Sequence, residues 1–231
     1  MNGASRAALR AGGDKLREAL ATGIHGTELG DQLFGATAVI DGSGTLRRAL
    51  TDPSREGADR AALARRLFGG KVSDQAIDVI ATLAAQRWSD SSDLADSLEQ
   101  LGVRAVLSSA EYGGRIDQVE DELFRFERIV AADPALREAL TDRRASGPDK
   151  AGLVSKLLDG KASPETIQLA RQVVLAPRNR RFDRGISAYL KVASQLRDEL
   201  TGIVTAAVPL DDEQRRRLGE ALATLYGRPG R

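Results

Sequence analysis

Apolar residues recur along this chain at intervals of three and four. Leu94, Leu98, Leu101 and Ala105 share one stripe, and Val119, Leu123, Phe126 and Ile129 share another. That period is the one that lines up a single face of an α-helix. Ser73 ahead of Asp74-Gln75, Ser163 ahead of Pro164-Glu165, and Asp133 ahead of Pro134 predict helix N-termini, with each proline at the first helical position. Glycine breaks at Gly23 to Gly26, Gly42 to Gly44, Gly69-Gly70, Gly113-Gly114 and Gly160 punctuate the pattern. The expectation is a mainly all-α protein.

The helical pattern repeats on a larger scale. Displaced by ninety positions, the sequence matches itself without gaps. Leu33-Phe34 falls on Leu123-Phe124, Ala49-Leu50-Thr51-Asp52 on Ala139-Leu140-Thr141-Asp142, Gly70-Lys71 on Gly160-Lys161, Ser73 on Ser163 and Ile77 on Ile167. About a third of the positions from Gly23 to Ile77 equal their counterparts. Helical-hairpin repeats run about 34–47 residues, so this period implies duplication of a small helical domain. The resulting division is two tandem bundles of five or six helices, 1–90 and 91–200, then a partial C-terminal domain over 201–231. Ser91 to Tyr112 carries only Gly102 as a break. It is expected to be a long helix that closes the first bundle and opens the second.

Beyond the bundles the pattern changes. Thr201 to Leu210 is β-branched and ends in Pro209, which predicts a strand. Asp211-Asp212-Glu213-Gln214 then predicts a helix ending near Tyr226-Gly227, with acidic residues in its first turn. A strand and a helix alone make an incomplete domain.

Composition narrows the chemistry. Aromatics are 4% of the 231 residues, so the cores must be Leu, Ala, Val and Ile. There is no cysteine and one histidine, His25, so thiol chemistry and cysteine metal sites are excluded and any triad would need that one ring. The net charge of +1 calls for neither nucleic acid nor an anionic surface. No apolar run approaches the roughly 18 residues of a membrane span, and Met1 to Arg10 lacks the apolar centre of a signal peptide. Membrane association is expected only through partners.

Candidate motifs read as structure. Gly69-Gly70-Lys71 and Gly160-Lys161 lack the spacing of a phosphate loop and fit helix C-caps. His25 sits in a turn. Asp117, Glu120 and Asp121 share a helix face that suits solvent better than a metal, with no histidine to complete a di-metal set. Arg178, Arg180, Arg181 and Arg184 form a basic cluster, and Arg215, Arg216 and Arg217 another. Without interleaved aromatics, acidic faces of partner proteins suit them better than nucleic acid. Trp88 ends an apolar run and reads as core or interface. No cofactor site and no convergent acid, base or nucleophile emerges. The residues favour an interaction protein over an enzyme, with a helical adaptor or nucleic-acid-binding module as the alternative.

Three stretches carry a family resemblance: Gly114-Arg115-Ile116-Asp117-Gln118-Val119-Glu120-Asp121-Glu122-Leu123, Asp133-Pro134-Ala135-Leu136-Arg137-Glu138-Ala139-Leu140, and Val204-Thr205-Ala206-Ala207-Val208-Pro209-Leu210-Asp211-Asp212-Glu213-Gln214. From about Leu101 to Gly227 the chain resembles the delta (OSCP) subunits of F-type ATP synthases. Lys71-Val72, Arg87-Trp88-Ser89 and Ser92-Asp93-Leu94 resemble the actinobacterial branch, which carries an added copy of the bundle. The family's further strands, with a paired-glycine motif, do not follow Gly227. The resemblance implies a non-catalytic stator at the cytoplasmic face of the plasma membrane. Its bundle would take the amphipathic N-terminal helix of an alpha subunit of the catalytic head, and its C-terminal domain the b-type stalk subunit. Carried over by position, the groove lies between Val103–Tyr112 and Glu165–Val174, with Val106, Ala110, Ile167, Ala170 and Val174 as apolar contacts.

Overall fold

The computed structural model describes residues 2–178 and 180–200, together with 211, 213–214, 216–218 and 221. Among the described residues the named elements are eleven α-helices and no strand. They are α1 (Gly3–Ala21), α2 (Gly26–Asp41), α3 (Gly44–Thr51), α4 (Gly57–Phe68), α5 (Asp74–Ala85), α6 (Ser92–Tyr112), α7 (Ile116–Ala132), α8 (Pro134–Thr141), α9 (Gly147–Leu158), α10 (Pro164–Leu175) and α11 (Phe182–Leu200). The fold is all-α. The strand expected over 201–210 lies outside the described residues.

The expected helix starts are used, each through its own chemistry. The Ser73 hydroxyl accepts from the Ala76 amide. Asp133 accepts from the amides of Ala135 and Leu136, and Pro134 stands in the first turn of α8. The Ser163 hydroxyl caps no amide of α10; it donates to Glu122 on α7 and meets the Thr166 hydroxyl in the first turn of α10.

Residues 1–192 form one compact unit, and 193–231 a second. In the first unit α6 is the common element. Its Leu94, Ala95, Leu98, Leu101 and Ala105 join Leu16, Leu29, Leu33, Ile40, Leu50, Ile80 and Leu83 in one core. Val103, Leu107 and Ala110 are also buried, on the opposite stripe, and α6 packs against α7 and α10 as well as α1, α2, α3 and α5. Buried on two opposite stripes, this helix serves both repeats. Trp88 is half-buried against the first core, and its indole N–H donates to the Leu83 carbonyl at 3.1 Å.

The repeat survives in its fastenings. Gln32 Oε1 accepts from the amide and hydroxyl of Ser73 at 2.9 and 2.6 Å. Ninety positions on, Glu122 Oε2 accepts from the amide and hydroxyl of Ser163 at 2.9 and 2.7 Å. Arg60 is buried and donates from Nε to the Ala84 carbonyl and from Nη2 to the carbonyls of Ala85 and Gln86, which closes the end of α5. Its Nη1 reaches the carbonyls of Asp52 and Arg55. The counterpart in the second repeat is Lys150, which reaches one carbonyl, that of Asp142.

In the second unit, the Asp211 amide donates to Gln214 Oε1 and the Gln214 amide to Asp211 Oδ1, at 3.1 and 2.8 Å. This reciprocal box marks a helix start where one was expected.

Candidate functional site

The two repeats meet where α2 crosses α6. The crossing is close because glycines form it. A Cβ on Gly26 would run into the carbonyl oxygen of Ala105. One on Gly30 would lie 2.5 Å from Val106 Cγ2 and 3.0 Å from the Gly102 carbonyl oxygen. Gly102 in turn makes room for the Phe34 ring. Small residues on both helices bring the backbones near enough for continuous van der Waals contact.

The second repeat grips α2 at both ends. Near its start, Gln168 Nε2 of α10 donates to the Thr27 carbonyl at 2.8 Å and to Asp31 Oδ1 at 2.7 Å. At its last residue, Arg178 forks onto Asp41, with Nε–Oδ2 at 3.2 Å and Nη2–Oδ1 at 3.3 Å. Arg178 Nη1 also meets Asp96 Oδ1 at 2.8 Å and Glu99 Oε2 at 2.9 Å on α6. The Arg178 backbone sits in the left-handed region, at φ 49°, which costs a non-glycine residue of order 1 kcal/mol and persists only where the surroundings enforce it.

Glu99 is buried at the middle of α6 and satisfied by three groups: Arg178, Arg180 and the Tyr189 hydroxyl at 2.9 Å. Burial, then the charge of Glu99, pushes the Tyr189 phenol well above its usual value, so it stays a neutral donor. Burial works against the charge on Arg178, but Asp41, Asp96 and Glu99 outweigh it and raise its proton affinity. Arg178 and Arg180, read from sequence as cations for partner proteins, are paired within the chain. Arg181 pairs with Asp183 at 3.3 Å.

Of the five residues carried over as partner contacts, Val106, Ala110, Ala170 and Val174 are buried and Ile167 is half-buried. Val106 lies beneath Gly30 of α2. On α10, Gln168 marks the side that meets α2. At about 100° per residue, Ile167, Ala170 and Val174 lie 100° or more around the helix from it. The structure therefore does not bring the five together on one open surface. Large exposed apolar side chains are Val39, Tyr112, Phe124, Ile129 and Leu175. Ile129 was expected on the buried stripe of α7, where Val130 stands instead.

The remaining motifs take structural places. His25 is exposed at the N-terminal boundary of α2. Gly69 bounds α4 and Gly70 has φ +70°, while Gly160 has φ +66°. Asp121 pairs with Arg125 one turn on. Among the described residues no group of three His, Cys, Asp or Glu side chains is placed to hold a metal, and no helix is long and apolar enough to cross a membrane. Arg215 lies outside the described residues.

Sequence comparison extends the picture. A family model described as ATP synthase delta (OSCP) subunit matches residues 103–230. The chain is 46% identical over 230 residues to the ATP synthase subunit delta of Streptomyces griseus, covering 99% of this chain and 84% of that protein. To the subunit delta of Kineococcus radiotolerans it is 45% identical over 208 residues, 90% of this chain and 75% of the relative. To that of Nocardia farcinica it is 42% identical over 228 residues, 96% and 84% of the two chains. These similarities run through both repeats, whereas the family model covers the second repeat and the residues C-terminal to it.

Proposed function

The chain belongs to the ATP synthase delta (OSCP) subunit family, the stator subunits of the peripheral stalk of F-type ATP synthases, and from that premise we propose that it links the alpha subunits of the catalytic head to a b-type stalk. The work is to hold the head still while the central stalk turns, so that rotation driven by protons is spent on ATP synthesis. The chain itself catalyses nothing in this reading. It stands at the cytoplasmic face of the plasma membrane and meets the membrane only through the complex. An amphipathic N-terminal helix of an alpha subunit is the proposed ligand of the helical part, and the region after residue 200 the proposed seat of the stalk.

One observation carries this reading: identity of 46% that extends over 99% of the chain and 84% of a delta subunit. The built character of residues 1–192 agrees with it, since the ionic groups buried there, such as Glu99 and Arg178, are committed to internal pairs. Reconstitution tests it. Added to membranes whose synthase has been stripped of this subunit, the chain is expected to restore proton-driven ATP synthesis in proportion to the amount bound, and to leave ATP hydrolysis by the detached head unchanged. Stoichiometric binding with no recovery of synthesis rejects the stator role.

A further inference from the structure

Both bundles rest on α6, the first on the stripe Leu94, Leu98, Leu101 and Ala105, the second on the opposite side. Apolar contact is non-directional, so packing on a common cylinder resists separation better than it resists sliding. Shear of about 1–2 Å between packed helices is a recurrent mode of motion. Directional bonds placed away from the shared helix are what would stop it.

Two such fastenings join the repeats. α2 belongs to the first bundle and packs on α6 as part of its core; α10 belongs to the second. Near the start of α2, Gln168 Nε2 donates to the Thr27 carbonyl and to Asp31 Oδ1. At its end, Arg178 forks onto Asp41 and also reaches Asp96 and Glu99 on α6. Asp41 in turn accepts from Arg47 Nη1 of α3 at 3.3 Å, so the ionic chain runs from α3 to the loop after α10. Thr27 and Asp41 are fourteen positions apart, about 21 Å along a helix. One fastening would leave a pivot; two at that spacing remove it.

The duplication supplies a control. Ninety positions earlier, Gln168 corresponds to Asp78 and Arg178 to Trp88. Asp78 pairs with Arg65 at 2.8 Å, and the Trp88 indole donates to the Leu83 carbonyl, both inside the first repeat. In the second repeat the same two positions reach across to the first.

We propose that Gln168 and Arg178 are positioning residues that lock the first repeat to the second against shear across α6, so that torque between head and stalk is carried through both repeats. The torque rests on the stator reading; the lock stands on its own contacts. A loose joint has slack, and the head follows the central stalk through that slack before it is held.

The chain has no cysteine, so spin labels attach only where cysteines are introduced. Arg66→Cys on α4 and Lys156→Cys on α9 are exposed positions related by the repeat. Pulsed dipolar electron resonance of the labelled full chain should give one narrow distance distribution. Adding Gln168→Ala and Asp41→Ala should shift or broaden it by about 2 Å or more. A label pair within the second bundle, Arg125→Cys with Lys156→Cys, should not change, which separates loosening from unfolding. Gln168→Ala alone removes only a half-buried amide and gives the same reading if the double variant fails to fold. An unchanged distance between the repeats overturns the lock. In the reconstitution on stripped membranes, a chain with Asp31→Cys, Gln168→Cys and Asp41→Ala should bind as the unaltered chain does but restore less synthesis. A short thiol-specific bridge between its two cysteines should recover the difference. Full synthesis by the unbridged, loosened chain overturns the mechanical role. Failure of the unaltered chain to restore synthesis rejects the stator reading, while the distances still decide the lock.

Discussion

Glu122 and Ser163 are joined twice, the carboxylate taking both the backbone N–H and the hydroxyl of the serine, at 2.9 and 2.7 Å. Thr166 adds a third bond at 2.6 Å. The pair fastens α7 to the start of α10, as Gln32 and Ser73 fasten α2 to the start of α5. Glu122→Gln converts the second repeat to the first repeat's chemistry and should cost only about 0.5–1 kcal/mol, since a neutral acceptor replaces a charged one. Glu122→Ala leaves the serine amide without its partner and should cost about 1–3 kcal/mol. Urea unfolding midpoints of the two variants check the order; equal losses would show that the charge, not the acceptor, holds the joint.

The same joint responds to acid. Partial burial pushes the Glu122 carboxyl up, but hydrogen bonds from Thr166, Ser163 and Gln118 outweigh it and hold it below the usual carboxylate value. A depressed folded-state value means that the ionised group stabilises the fold above the unfolded pKa of about 4.3. That contribution fades as pH falls through the folded value. The stability gap between wild type and Glu122→Gln should therefore be full at pH 7 and shrink below about pH 4. A gap independent of pH across that window would contradict the assignment.

Much of this architecture was legible in advance because it depends on local signals. The stripe Leu94, Leu98, Leu101, Ala105 predicts a helix face, and the stretch from Ser91 to Tyr112, broken only at Gly102, predicts the single long helix that α6 is. The pairing of Arg178 with Asp41 and Glu99 was not legible, because its partners lie 137 and 79 positions away and no local pattern encodes that distance. A run of arginines looks alike whether its partners are on another protein or on an earlier helix. The helix-crossing glycines were visible only as residues. Gly26 read as part of a break, yet it begins α2, and Gly30 drew no notice, because close approach is a property of the partner surface. The five carried-over residues do not share one open face, for a related reason: position along a helix says nothing of which neighbour fills the space.

Arg60 should be among the costliest polar residues to lose. Its guanidinium is buried and satisfies carbonyls at the end of α5 and in the turn before α4. Arg60→Ala strands these acceptors and should cost about 3 kcal/mol or more. Arg60→Lys keeps the charge but lacks the planar fork, and should recover part of the loss, as Lys150 does for its single carbonyl in the second repeat. Thermal unfolding of the three proteins at one pH measures the series.

Two glycines of α2 should answer the same substitution with opposite signs. Gly35 has open space around its Cα, and Gly35→Ala should stabilise by about 0.5–1 kcal/mol through reduced backbone freedom. Gly30→Ala must push its methyl against Val106 and the Gly102 carbonyl, and should destabilise by about 1–3 kcal/mol. Calorimetry on both variants decides it; a gain at Gly30 would mean that the α2–α6 crossing is looser than these distances imply.

Arg178→Ala leaves Glu99 buried with one cation fewer and Asp41 without its fork. A loss of about 3 kcal/mol is expected, as for breaking a buried pair from one side. Changing Glu99 to Gln in the same chain should recover part of it, because the buried charge left behind is removed as well. A double-mutant cycle by denaturant unfolding reads the coupling, and simple additivity would show that the two residues do not act together.

The common helix α6 also bears on how such a chain can change through descent. Deleting the first repeat up to Ser91 would expose Leu94, Ala95, Leu98, Leu101 and Ala105 to water at a stroke. What remained would be a bundle with a naked apolar stripe, prone to stick to its own kind. In the reverse direction, adding such a copy would cover that stripe and make polar substitutions along it unfavourable. A duplication knitted in by a shared helix thus acts as a ratchet: each apolar exchange on that face deepens the dependence of the older half on the newer one.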